Sequence, residues 1–154
     1  MELPKLSNAP VSLKLLATSL LCSIGLTYIA LLLHIYIDTE MRPSLVANAY
    51  KSMEYVELTN GAHDYLPYYI FFLFAPSVSL FMLTSYSESI KRFFAVFPFL
   101  VIAADIGSMY MIHYVSPHFA YALWIAGTLL ALTFLTIFLL TMYDIWLRKA
   151  TELK

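Results

Sequence analysis

The sequence is short of charge, with Lys, Arg, Asp and Glu together making up 12% of its residues. A soluble domain usually carries about a quarter. The formal net charge of −1 and the lack of any basic stripe along a helix argue against a nucleic-acid partner. Cysteine occurs once, as Cys22, which excludes an intrachain disulfide and a cysteine metal cluster. Inside its apolar run, Cys22 is expected to be a small core residue. No H-E-x-x-H or C-x-x-C pattern, phosphate loop, nucleophile–base pair or paired carboxylate occurs, so hydrolase chemistry has no basis. Nor is there an internal repeat of the kind on which transporters are built.

In place of charge stand long apolar runs. Hydrophobic residues make up 61% of the chain, and the mean hydropathy is +0.76. Crossing a bilayer core of about 30 Å takes roughly 20 apolar residues in a helix. Four segments qualify, at about 13–37, 65–86, 93–115 and 119–143. Only helices satisfy their own backbone in lipid, apart from closed barrels. The fold class expected is therefore all-α, a single four-helix transmembrane bundle over residues 1–154. Pro67 is expected in the first turn of the second span, and Pro76 and Pro98 inside helices. The first segment is too long for a signal h-region and lacks an A-x-A site, so it reads as a retained helix.

Lys5, Lys14, Lys91, Arg92, Arg148, Lys149 and Lys154 fall on one side of such a bundle, and only Arg42 and Lys51 on the other. The positive-inside rule makes the first side cytoplasmic, with both termini. The opposite side carries Asp38, Glu40, Glu54, Glu57 and Asp64. Its long connection, 38–64, starts a helix at Pro43-Ser44 and stops at Asn60-Gly61. A short amphipathic helix is expected there, on the outer membrane face or capping the bundle.

All four histidines belong to that outer side: His34, His63, His113 and His118. Imidazole ligates haem iron, copper and zinc. His34 and His63 are the expected axial pair for a b-type haem, with His113 and His118 as alternative ligands. A copper or zinc site would draw on the same histidines with Asp64. Tyr36, Tyr65, Tyr68, Tyr69, Tyr110, Tyr114, Tyr121 and Trp124 lie at the same level. They can wall a porphyrin or a quinone head group, or form a plain interfacial aromatic belt. Asp105 lies mid-span with no basic residue in the membrane core to pair with it. Its carboxyl is expected to face the bundle interior. There it either handles protons or anchors a ligand, or bridges to Ser108, Thr128 or another hydroxyl. His113 follows eight residues later, about 80° round the helix. Ser19-x-x-x-Ser23 and Gly127-x-x-x-Ala131 are expected to let helices approach closely.

Gly61-Ala62-His63, the run Asp105-Ile106-Gly107-Ser108-Met109-Tyr110, Tyr114-x-x-Pro117-x-Phe119-Ala120-Tyr121 and Tyr143-Asp144-Ile145-Trp146-Leu147 carry a resemblance. They resemble a group of small, poorly characterised four-helix inner-membrane proteins of bacteria, cytochrome b-like, over about the last two-thirds of the chain. That group opens its second helix with His-x-His, whereas here Tyr65 follows His63 in place of the second histidine. The likeness implies a multi-pass place in the bacterial inner membrane near electron-transfer systems. The function expected is a b-type-cytochrome-like subunit passing electrons between the quinone pool and an outer-side partner. Its partners would be lipid and other membrane or periplasmic subunits of a larger complex. A cofactor-free structural or assembly subunit is the competing expectation, and a copper or zinc site the third.

Overall fold

The computed structural model describes residues 5–148, and every regular element among them is helical. Lys149 and Lys154, two of the basic residues used for orientation, lie outside the described residues. Four helices are long and apolar enough to cross a membrane: α1 (Val11–Thr39), α3 (Tyr55–Met82), α4 (Glu88–Tyr114) and α5 (Phe119–Trp146). The short helix α2 (Pro43–Ser52) stands between the first two. The chain is thus a multi-pass helical membrane protein. At about 1.5 Å per residue, the 28 residues of α5 reach about 42 Å.

The connection after α1 differs from the sequence expectation. Glu40 and Met41 take left-handed backbone angles, φ 47° and 55°, which turn the chain sharply into α2. Helix α2 then stops at Ser52, and α3 begins at Tyr55 rather than near Tyr65. The cause is a capping box. The Glu54 carboxylate accepts from the backbone N–H of Glu57, and Glu57 Oε2 accepts from that of Glu54 at 3.2 Å. Asn60-Gly61 therefore falls inside a helix instead of ending one, and Pro67 lies well past the first turn.

Proline shapes α3 in another way. Residues Tyr68–Phe74 widen into a π-helical stretch, in which the N–H of Ala75 donates to the carbonyl of Ile70. Pro76 follows at once, in the first turn of the resumed α-helix, Ala75–Met82, where a missing N–H costs least. Pro98 sits buried within α4 without ending it.

Helices α4 and α5 form the most extensive pair. Phe74, Leu73, Ile102 and Leu130 fill the middle of the bundle. At one end Leu6 packs on Ala17 and Ile145 and donates its N–H to the carbonyl of Leu83 at 2.8 Å. Asp144, wholly buried, accepts there from the N–H of Ser85 at 3.1 Å and from Arg148 at 3.3 Å. The guanidinium of Arg148 lies over the Tyr86 ring. At the other end α2 lies across α4 and α5, with Val46 and Ala47 against Ile112 and Ala120. Cys22 is exposed on the outside of α1 rather than in the core. Ser19 and Ser23 are likewise exposed, so this pair makes no close helix contact in the bundle.

Candidate functional site

Beneath α2 the bundle encloses a cavity of about 410 Å³, within the usual range for small-molecule sites. All five helices wall it. Helix α1 contributes Tyr28, Leu31, Leu32 and Ile35, and α2 contributes Val46, Ala49 and Tyr50. Tyr65 and Tyr69 come from α3, Asp105 and Met109 from α4, and Trp124, Gly127, Thr128 and Ala131 from α5. Gly127 and Ala131, expected to let helices approach closely, stand where α5 packs on α4 and the core, and Ala131 packs against the core cluster. Both small residues also line the cavity.

Asp105 is the polar centre of this space. It is 3% exposed, and among the described residues no protein group donates to its carboxyl. The two hydroxyls named as bridging partners are engaged elsewhere. Ser108 donates to the carbonyl of Ala104 at 2.7 Å, and Thr128 to that of Trp124 at 2.9 Å. A methyl group built on Gly127 would stand 3.9 Å from Oδ1 of Asp105, so the glycine keeps one side of the carboxyl open. The carboxyl opens onto the cavity, where a ligand donor can reach it.

Phenols surround it. Tyr28 and Tyr69 are buried, while Tyr50 and Tyr65 are half-buried. On α2, burial pushes the Tyr50 phenol up, with Tyr65 and Asp105 nearby adding to the effect. Tyr50 therefore stays a hydrogen-bond donor throughout the physiological range. Asp38 and Thr39 line the rim.

The histidines are placed differently. His34 is 63% exposed, with Nε2 at 3.4 Å from Asp38, four residues along its own helix. His63 is 82% exposed and lies 3.6 Å from its neighbour Asp64. His118 is exposed just before α5. His113 alone is turned inward, with Nδ1 at 3.1 Å from the carbonyl of Tyr50, so that it holds α2 onto α4. A haem with two histidine ligands would take imidazoles facing each other across the bundle. His34 and His63 are each exposed beside a carboxylate of their own helix. Among the described residues no group of three or more His, Cys, Asp or Glu side chains is placed to hold a metal ion.

Sequence reading missed the cavity, together with Tyr28 and Tyr50, and took Gly127 only as a packing residue. Tyr28 did carry a signal, since it continues the spacing of Ala17, Leu21 and Ile24 along α1.

No curated protein and no solved structure matches the chain. A family described as a transmembrane helical domain, Aq_1264_TM, matches residues 48–152. That stretch begins within α2 and takes in α3, α4 and α5, hence Asp105 and most of the cavity wall. Covering more than half the sequence, the match makes this chain a member of the Aq_1264_TM family of transmembrane helical domains.

Proposed function

We propose that this chain is a quinone-binding subunit of a bacterial inner-membrane electron-transfer complex. The observation that carries the reading is the cavity beneath α2, with the unpartnered Asp105 carboxyl at its centre and four tyrosines around it. A quinone ring presents two carbonyl oxygens that phenols and a protonated carboxyl can donate to. A quinol presents two hydroxyls that a carboxylate can accept from.

Both termini are cytoplasmic in this reading, because Lys5, Lys14, Lys91, Arg92 and Arg148 gather at the end opposite α2. The cavity then lies toward the outer side, beneath a surface bearing Glu40, Glu54, Glu57 and Asp64. Oxidation of a bound quinol releases two electrons and two protons. The electrons would leave one at a time, in two successive transfers, to a one-electron acceptor of the haem or iron–sulfur class on an outer-side partner subunit. One proton goes to the Asp105 carboxylate and the other to Asp38, at the rim and open to outer water. The chain itself binds, orients and deprotonates.

The test is titration of the protein in nanodiscs with a decyl-chain benzoquinone, read by quenching of Trp124 fluorescence. Saturable binding is expected, weakened about ten-fold in Asp105→Asn, which is roughly 1.4 kcal/mol for one charge-assisted hydrogen bond. Absence of saturable quenching would leave a cofactor-free structural or assembly subunit as the better account.

A further inference from the structure

The cavity walls are not equally tight. Helices α4 and α5 make the most extensive contact in the bundle, with a shallow apolar groove on the far side of Val101 and Ala126. The flank between α1 and α3 is bridged where the Tyr68 hydroxyl donates to the Thr27 carbonyl at 3.3 Å. Helices α1 and α5 behave differently. In the half away from α2 they touch. The indole Nε1 of Trp146 donates to Thr18 at 3.0 Å, and Tyr28 meets Phe134 edge-on with ring centroids 5.1 Å apart.

Beyond Tyr28 the contact stripe of α1 weakens. Ala17, Leu21, Ile24 and Tyr28 are buried, whereas Leu31, Leu32 and Ile35, next in the same spacing, are half-buried and line the cavity. On α5, Trp124 and Thr128 line the same cavity and are exposed. A side chain that both lines a cavity and is exposed marks its mouth.

Depth decides what this mouth opens onto. A 28-residue helix of about 42 Å centred on a hydrocarbon layer of about 30 Å projects about 6 Å at each end. Thr128 is nine residues, about 14 Å, from the Phe119 end of α5. It lies about 8 Å inside the hydrocarbon, so the mouth faces lipid tails. Asp38 and Met41, also cavity-lining and exposed, mark a second opening at the helix ends, toward water. The volume of about 410 Å³ is near the small end for ligand pockets, room for a ring-sized head but not for a long chain as well.

We propose that the cavity loads sideways from the bilayer, through the cleft between the outer halves of α1 and α5. Its ligand is a single-headed amphiphile whose apolar chain stays in that cleft while the head reaches Asp105. This rests on the cavity being the ligand site and adds the route and the ligand's shape. It also divides the two openings by chemistry, with the chain leaving into lipid and protons leaving past Asp38 into water.

The experiment uses the full chain in nanodiscs and a benzoquinone carrying a decyl chain with a diazirine at mid-chain. Photolysis with and without excess unlabelled decyl-benzoquinone, followed by peptide mass spectrometry, maps the saturable labels. Labels on Leu31 or Ile35 and on Trp124 or Thr128 are expected. Thr128→Phe should cut both labelling and binding at least five-fold at an unchanged melting temperature. Ile35→Phe, on the opposite lip, serves if Thr128→Phe folds poorly. Saturable labels on α2 or around Met41, with both Phe variants binding as wild type, overturn the sideways route and leave the site itself standing. Failure of both the decyl probe and a chainless benzoquinone to bind removes the site reading and this inference together.

Discussion

Replacing Asp105 by Leu should make the protein more stable and less able to bind. On an insertion scale a carboxylate at a helix centre costs about 2.5–3.5 kcal/mol, and a leucine contributes about 0.3–0.6 in the other direction. In full contact with lipid the exchange would therefore be worth about 3–4 kcal/mol. Asp105 faces a cavity that reaches water at Asp38, which recovers part of its solvation. The expected gain is accordingly smaller, about 1–2 kcal/mol. The added volume is accommodated, because the side chain enters open space of about 410 Å³ rather than a packed core. Steric-trapping measurements of unfolding in bicelles give the stability, and quinone titration of the same sample gives the binding, which should fall at least ten-fold. A loss of 1 kcal/mol or more would refute the reasoning, since it would mean that the carboxyl holds helices together through bonds the open cavity does not provide.

The other predictions concern the two ends of the bundle and the histidines. His113→Ala removes the bond to the Tyr50 carbonyl and should cost about 1 kcal/mol. Amide exchange across residues 43–52 should quicken, and unchanged exchange would deny His113 its hold on α2. Asp144→Ala strands Arg148 and the Ser85 N–H and should cost about 2–3 kcal/mol. Protease should then nick the turn at 83–87, and a variant as resistant as wild type would count against that anchor. Because His34 and His63 are exposed beside their own carboxylates, a reduced-minus-oxidised spectrum of the purified chain should be flat. A sharp b-type band lost in His34→Ala or His63→Ala would replace the cavity reading with a haem site, and stoichiometric copper or zinc would replace it with a metal site.

The spans were legible in the sequence because length and apolarity alone decide them. Each begins or ends within a few residues of its expected place except the start of α3. That start depends on two glutamates exchanging bonds with each other's backbone N–H, and a pair of acids in a polar connection looks the same whether or not it caps a helix. Asp105 was legible as an inward-facing group, because an unpaired carboxyl mid-span has nowhere else to go. The cavity around it was not. It exists because α1 leaves α5 above Tyr28 and α2 folds back over the gap. Both are matters of helix arrangement, on which one sequence is silent.

The placing of His63 has its cause in a single turn of helix. Counted back from buried Phe74 on a regular α-helix, His63 is eleven residues away and comes within about 20° of the same face. Ala62 and Leu58, twelve and sixteen residues away, would lie about 120° and 160° from it. The structure buries Ala62 and Leu58 and exposes His63. The difference comes from the π-helical stretch Tyr68–Phe74, whose wider turn shifts the phase of everything before it by about one residue, or 100°. The same shift buries Tyr69 and brings Tyr65 to the cavity wall. One irregular stretch, ending just ahead of Pro76, thus exchanges a histidine for two tyrosines on the inner face of α3. That exchange places phenol hydroxyls, in place of an imidazole, on the face of α3 that meets the cavity.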